Sequence, residues 1–290
     1  MMPPPSLAIV TATTNLARAR PCLESWMTHA HTPPALFVVL NADERPLLVT
    51  VAKQHVAWMH RPDYLGSVPA FRMGVDVALE GPFSIIACLH DDFEIHEDGW
   101  DLKVAKYFDR NPNLGLAGFG GAIGLGALDM YDRPYDPMSL ARVGFRSDLE
   151  DAETHGMRSL LAEPVACLDG FSQIGYRGFW EGRWSPIAMQ RARNTGLREV
   201  PVERPWATLE RLGLVHHFYD GALGCLAARL GWETWYLPLR SKHWGGRTAV
   251  GDAGYQAWAK GKDPRGDQGF WEEAHWIGYQ AFRDVLPLRV

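Results

Sequence analysis

The sequence predicts an α/β protein built on a mostly parallel, Rossmann-like sheet flanked by helices. Three observations carry that expectation. Unbroken apolar runs recur at Leu7–Thr13, Leu36–Asn41 and Ile85–Leu89, and a strand buried on both faces of a parallel sheet has this composition. Segments with apolar residues at helical spacing separate these runs, so strand and helix alternate. The chain also has 290 residues, 47% of them hydrophobic, enough for a substantial core in one large domain or one domain with an appendage.

Leu7-Ala8-Ile9-Val10-Thr11-Ala12-Thr13 reads as the first strand. A helix from Asn15 to about His29 turns Leu23, Trp26 and Met27 inward, and Pro33-Pro34 ends that unit. Leu36–Asn41 is the second strand, followed by a helix around Pro46 to Gln54 and a third strand, Val56–Met59. After Leu65-Gly66-Ser67, the residues Val68, Phe71, Val75 and Leu79 recur at helical spacing until Gly81-Pro82 breaks the pattern. Ile85–Leu89 is the next strand, and Asp98–Asp109 a helix with Leu102, Ala105 and Phe108 inward.

Six glycines between Gly115 and Gly126 mark a strand and turn where backbones approach closely; a dinucleotide fingerprint belongs after the first strand. Tyr131–Arg158 reads as a long, polar, irregular insertion, a candidate functional loop. Val165–Phe171 is a strand bearing Asp169, and a second irregular stretch reaches Pro205. Val215–Asp220 leads into a helix with Leu223, Leu226, Ala227 and Leu230 inward, closed by Gly231. Trp235–Leu239 is a last short strand. The remainder after Arg247, through Lys260–Gly266, reads as flexible and basic in its middle, and Phe270–Val285 as a final helix with Trp271, Ala274, Ala281 and Val285 on one side. The expected organisation is a domain over residues 1–246, with a basic loop and helix at 247–290 packed on it.

A net charge of −5 argues against a large non-specific nucleic-acid surface. No apolar run is long enough to span a bilayer, and Met1-Met2-Pro3-Pro4-Pro5 lacks a signal-peptide pattern, so a cytoplasmic protein is expected. Cys22, Cys88, Cys167 and Cys225 are scattered in mostly apolar surroundings, as reduced core residues are. Twelve tryptophans are unusual. Most are expected to pack internally, although those in Phe179–Trp184 also suit stacking on a flat ligand or a sugar face.

The strand Ile85–Leu89 runs into His90-Asp91-Asp92. Ligands of open α/β sheets sit beyond the carboxyl ends of the strands, so two carboxylates stand where a substrate arrives. Adjacent like charges repel, and the usual remedies are a cation or a raised pKa. Carboxylate oxygens suit Mg²⁺ or Mn²⁺, ions commonly shared with substrate phosphates. The plainer alternative is a turn or a helix cap. Asp220 likewise reads as an N-cap when taken alone, and a lone His243 after a strand reads as structural.

Three pieces, in order, resemble the family 2 glycosyltransferases with the GT-A fold, over Leu7 to about Gly246. Cys88-Leu89-His90-Asp91-Asp92-Phe93 is similar to the family's DxD region, with His90 at the place of the first acid. Tyr219-Asp220-Gly221-Ala222-Leu223 through Gly231-Trp232 is similar to the family's Glu-Asp-x-Asp-Leu helix, with Tyr219 and Ala222 where acids often stand. His243-Trp244-Gly245-Gly246 occupies the place of the family's late metal-binding His.

The resemblance implies a GT-A type nucleotide-diphospho-sugar-binding fold and transfer of a sugar, with inversion, from a nucleotide sugar to an acceptor hydroxyl. UDP is the default nucleotide and Mn²⁺ or Mg²⁺ the cofactor. Asp92 and His243 would ligate the metal, with Asp91 assisting or touching the ribose, and Asp220 would be the general base. Thr11, Thr13 and Asn15, with Asn41 and Asp43, stand where such enzymes meet the nucleobase and ribose. A basic loop with Lys242, Arg247, Lys260, Lys262 and Arg265 would close over the diphosphate. The acceptor stays open: a glycan, a protein side chain, a small molecule or a hydroxylated DNA base. Two alternatives stand beside this reading. One is a non-catalytic nucleotide- or glycan-binding module. The other is a nucleotidyltransferase, which ranks lower because Ala12-Thr13-Thr14-Asn15-Leu16 replaces the Gly-rich basic loop such enzymes carry after the first strand.

Overall fold

Four parallel strands build one side of the central sheet. The computed structural model describes residues 6–41, 50–52, 54–126, 142–150, 157–195, 202–245 and 253–290. Strand β1 (Leu7–Thr13) leads into helix α1 (Leu16–Thr28), whose first turn Asn15 caps by accepting the Arg18 N–H. β2 (Ala35–Asn41) pairs parallel with β1. Thr50–Val51 (β3) and Gln54–His55 (β4) form a small antiparallel pair. This replaces the C-terminal part of the helix expected at Pro46–Gln54, whose earlier residues lie outside the described ones. β5 (Ala57–Arg61) joins β2, helix α2 (Ser67–Glu80) crosses back, and β6 (Ile85–Leu89) pairs parallel with β1.

The second half makes the sheet mixed. β7 (Phe93–Ile95) and helix α3 (Trp100–Arg110) precede β8 (Leu114–Gly118) and β9 (Gly120–Leu125), the two halves of the Gly-rich stretch. Leu102, expected inward, is 43% exposed. The buried stripe of α3 is Trp100, Val104 and Phe108 with Ala105, and position 102 lies across the helix from it. β10 (Arg142–Ser147) and β11 (Met157–Arg158) fall within the insertion expected to be irregular; β10 pairs antiparallel with β9, whose small residues let it approach.

β12 (Glu163–Pro164), β13 (Cys167–Leu168) and β14 (Ser172–Tyr176) follow. The strand expected at Val165–Phe171 is thus divided, with Asp169 in the turn between β13 and β14. α4 (Arg177–Trp180) and α5 (Pro186–Asn194) fall in the second supposedly irregular stretch, and α6 (Pro205–Arg211) begins at its end. Trp180 is buried and donates its indole N–H to the Ile86 carbonyl, so it packs internally. α7 (Tyr219–Arg229), β15 (Glu233–Tyr236) and β16 (Ser241–His243) come next. Then α8 (Ala253–Lys262) takes much of the segment expected to be a flexible basic loop, before α9 (Asp267–Phe282) and β17 (Leu288–Arg289).

The eight-stranded sheet has the order β12-β15-β8-β14-β6-β1-β2-β5. β14 runs antiparallel to both β6 and β8, and β12 antiparallel to β15. The expectation of a mostly parallel sheet is therefore corrected to a mixed one. The consequence is local: an antiparallel strand presents its N-terminal end where its parallel neighbours end. The Asp169–Ser172 turn thus arrives beside the end of β6, with Ser172 opposite Leu89.

Side chains alternate across the sheet. Ala8 and Val10 join the cluster under α2 and α7, while Ile9 joins Leu23, Trp26 and Trp100 on the opposite face. The four cysteines are buried free thiols, their pKa values raised by burial. Among the described residues no helix is long and apolar enough to cross a membrane.

Helix α2 approaches β1 closely because Gly74 faces it: a Cβ there would lie 2.2 Å from Val10 Cγ1. Val10 is β-branched and fully buried, so it has little freedom to yield. Gly74→Ala is expected to destabilise the fold by about 1–3 kcal/mol, read as a lower midpoint in urea unfolding.

Candidate functional site

The carboxyl ends of β1, β2 and β6 open on one cavity. Thr13, Asn41, Asp91, Asp92 and His243 line it, with Tyr64, Gly66 and Ser67 on the side where α2 begins. His90, Asp91 and Asp92 occupy the turn between β6 and β7, closed by Phe93 N–H on the His90 carbonyl. In this turn the adjacent carboxylates diverge. Asp91 is bonded by Thr13 and lies 3.5 Å from Arg18. Burial raises its carboxyl above the usual range, against the Thr13 bond, which lowers it.

Asp92 turns the other way. Strand β16 pairs antiparallel with β7 and sets His243 opposite Phe93, and the Trp244 N–H bonds the Asp92 carbonyl. His243 Nε2 consequently lies 3.3 Å from Asp92 Oδ1, and His90 Nδ1 lies 3.8 Å from the same oxygen. One ligand atom from each of His90, Asp92 and His243 falls within 4.8 Å of the others. Burial opposes ionisation of Asp92, but contact with the His243 ring outweighs it and holds the carboxyl below its usual range.

Buried acceptor atoms lining this cavity make no hydrogen bond: Asn41 Oδ1, Asp92 Oδ1, and Asp91 Oδ2, which has only the Arg18 ion pair at 3.5 Å. Buried polar atoms normally have partners, so such a concentration marks a place that a ligand or ion completes. The fit to a divalent cation rests on Asp92 Oδ1, an ionised oxygen with two imidazoles around it.

The expected nucleotide-contacting residues divide. Thr13, Asn41 and Asp91 line the cavity. Thr11 is fully buried in β1, and Asn15 is spent on capping α1. Asp43 lies outside the described residues. Asp91, expected to assist the metal, is directed to Thr13 and Arg18, and the third member of the cluster is His90. The sequence marks that position by the imidazole at the place of an acid.

A second cavity adjoins the first and shares Ser67, His90 and His216 with it; Arg142, Asp169, Asp220, His217, Trp271 and His275 line the remainder. Asp220 lies in the first turn of α7. It is held from two sides: Oδ1 accepts the Gly221 N–H, and Oδ2 accepts Arg142 Nη2 at 2.5 Å. Arg142 also donates to Asp169 at 2.9 Å, and that pairing, against burial, holds the Asp169 carboxyl below its usual range.

Phe218, which precedes α7, sits in the left-handed region at φ 59°, an outlier for a bulky residue. Packing imposes it: Phe218 lies against Gly278 of α9, where a Cβ would come within 2.1 Å of the ring. The neighbouring His217 bonds Asp267 at 2.8 Å. Burial, first of all, lowers the His216 pKa to about 3, so this ring is neutral where it meets both cavities. Its Nδ1 lies 2.9 Å from the Ser67 hydroxyl.

Sequence reasoning did not single out Arg142, Ser67, Tyr64 or His216. Arg142 falls inside the insertion named as a candidate functional loop, which is the one signal that pointed near it. The basic residues proposed to close over the site are largely engaged elsewhere. Lys242 sits 3.6 Å above the Trp244 ring, and Arg265 pairs with Asp263 and Glu272. Arg247 is outside the described residues.

No family model matches the chain, and no curated protein matches it. Among solved structures, the chain is similar to the crystal structure of A197 from STIV. The identity is 10% and the TM-score 0.41, over 82% of this chain and 85% of that one.

Proposed function

We propose that the protein is a metal-dependent inverting glycosyltransferase of the GT-A type, which moves a sugar from a nucleotide sugar, UDP by default, to an acceptor hydroxyl. The observation that carries the reading is the convergence of His90, Asp92 and His243 beside unpartnered acceptor atoms at the ends of three parallel strands. A divalent cation bound there supplies Lewis-acid stabilisation of the negative charge that grows on the departing diphosphate. Thr13, Asn41 and Asp91 are placed to hold the nucleoside in the first cavity. The acceptor enters the second cavity, and Asp220 takes its hydroxyl proton. A carboxylate has about four lone-pair sites, so the bonds from Gly221 and Arg142 aim Asp220 and still leave sites for the acceptor.

The Arg142 clamp also favours the second reading, a nucleotide- or glycan-binding module without turnover, because the guanidinium occupies the Asp220 Oδ2 that would otherwise face an acceptor hydroxyl. Diphosphate release separates the two. The nucleotidyltransferase alternative gains no support from these contacts.

The test of donor binding is thermal stability against nucleoside diphosphates and nucleotide sugars, each with Mn²⁺, Mg²⁺ or chelator. A ligand at about 100 times its Kd adds about 2.7 kcal/mol, expected here as a rise of roughly 5–10 °C that chelator removes. Absence of any rise, with donors and acceptors both present, would refute the reading.

A further inference from the structure

We propose that the cation site is a two-imidazole, one-carboxylate centre in which His90 binds through Nδ1, that Tyr219 is the positioning residue that makes this nitrogen available, and that the site takes a first-row transition-metal ion, Mn²⁺ for the test, in preference to Mg²⁺. The inference rests on the cation site of the reading above but not on glycosyl transfer itself.

The hydrogen bonds fix the tautomer. A tyrosine hydroxyl has one proton to give, and a carbonyl oxygen only accepts. Tyr219 Oη lies 3.0 Å from the Gly170 carbonyl and donates to it. His90 Nε2 lies 2.6 Å from the same hydroxyl. With its proton committed to Gly170, the hydroxyl accepts, so Nε2 carries the imidazole proton. In a neutral imidazole the other nitrogen is then a bare lone pair.

That lone pair faces a second acceptor, Asp92 Oδ1, at 3.8 Å. Oδ1 is buried and makes no hydrogen bond. Two lone pairs opposed across this gap repel, and a cation between them turns the repulsion into two coordinate bonds. His243 Nε2 stands 3.3 Å from the same oxygen. Metal bonds to nitrogen and oxygen are about 2.0–2.2 Å long, so ligand atoms of one coordination sphere lie about 3 Å or more apart. The spacings here are of that size.

The donor set biases the ion. Mg²⁺ is held mainly by oxygen ligands and water, whereas nitrogen donors favour first-row transition ions, of which Mn²⁺ is the weakest binder and the one that also accepts carboxylate readily. Tyr219 thereby has a use at the place where the resembling family often carries an acid. A hydroxyl behind a ligating histidine orients the ring, and loss of such a partner typically weakens metal binding about 10–100-fold.

The test uses the full chain without any nucleotide sugar, so failure of the glycosyltransferase reading leaves its outcome intact. Long-range ¹H–¹⁵N NMR of the imidazole nitrogens in metal-free protein is expected to show His90 protonated at Nε2. Calorimetric titration is expected to show Mn²⁺ bound more tightly than Mg²⁺. Tyr219→Phe should mix the His90 tautomers and weaken Mn²⁺ binding about 10–100-fold, and His90→Asp should shift preference toward Mg²⁺. The tautomer spectrum and the metal preference of wild-type protein stand as tests even where a variant does not fold. Protonation of His90 at Nδ1, or a Tyr219→Phe protein that binds Mn²⁺ like wild type, would overturn the proposal.

Discussion

Asp92→Ala is expected to abolish metal-dependent donor binding, with the Mn²⁺ contribution to nucleotide affinity reduced at least about 100-fold. Asp92 is the one carboxylate of the cluster, and its Oδ1 is the atom both imidazoles face. Without it, two imidazoles remain, with no carboxylate to offset the cost of dehydrating a divalent ion. Stability of the metal-free protein is expected to fall modestly, because the fold favours the ionised Asp92 carboxylate through its contact with the His243 ring and that contribution is lost. Two thermal scans make the check: the metal-free midpoint falls slightly, while the Mn²⁺-dependent rise vanishes altogether. Asp91→Ala serves as the contrast. Its carboxylate faces Thr13 and Arg18, so that variant should keep Mn²⁺ binding and lose nucleotide affinity. Retention of full metal-dependent donor binding in Asp92→Ala would remove the cluster from the mechanism.

How much of this was legible in the residues depended on how far each signal reached along the chain. β1 and β6 have the expected bounds because a two-sided buried strand writes itself as a continuous apolar run. Asp91 and Asp92 follow from the end of such a run. The antiparallel β14 left no equivalent mark, since Ser172-Gln173-Ile174-Gly175-Tyr176 is buried through its neighbours and carries few apolar side chains of its own. The same holds for β10, which pairs with β9 through backbone groups and reads locally as polar loop. Leu102 failed because an apolar residue was assigned inward from its type, while the helical stripe had been set by Trp100. Within the site, adjacency in sequence suggested that Asp91 and Asp92 work together. The turn that carries them sends them to different partners, and His90 joins Asp92 instead. Arg142 reaches Asp220 across 78 residues of chain, a separation at which periodicity and spacing carry no information.

Asp220→Asn is expected to keep donor and metal binding and to lose transfer by about 10²–10⁴-fold, the usual contribution of a positioned proton acceptor. The substitution is nearly isosteric, so the amide oxygen can still accept the Gly221 N–H or the Arg142 guanidinium. The cation cluster is untouched, because its link to α7 runs through the Tyr219 hydroxyl and not through Asp220. A loss confined to kcat, with the donor-induced thermal rise preserved, therefore isolates proton transfer from binding. Arg142 sharpens the test. Its bonds to Asp169 and Asp220 hold both carboxylates at the wall of the second cavity, and either could in principle meet the acceptor. Asp169 lies in the turn before β14, whereas Asp220, the assigned base, stands in the first turn of α7. Asp169→Asn should then retain most of the transfer rate, and equal losses in the two variants would assign the base to the Arg142-linked pair instead of to Asp220. Wild-type turnover in Asp220→Asn would leave the second cavity without a base and favour binding without transfer.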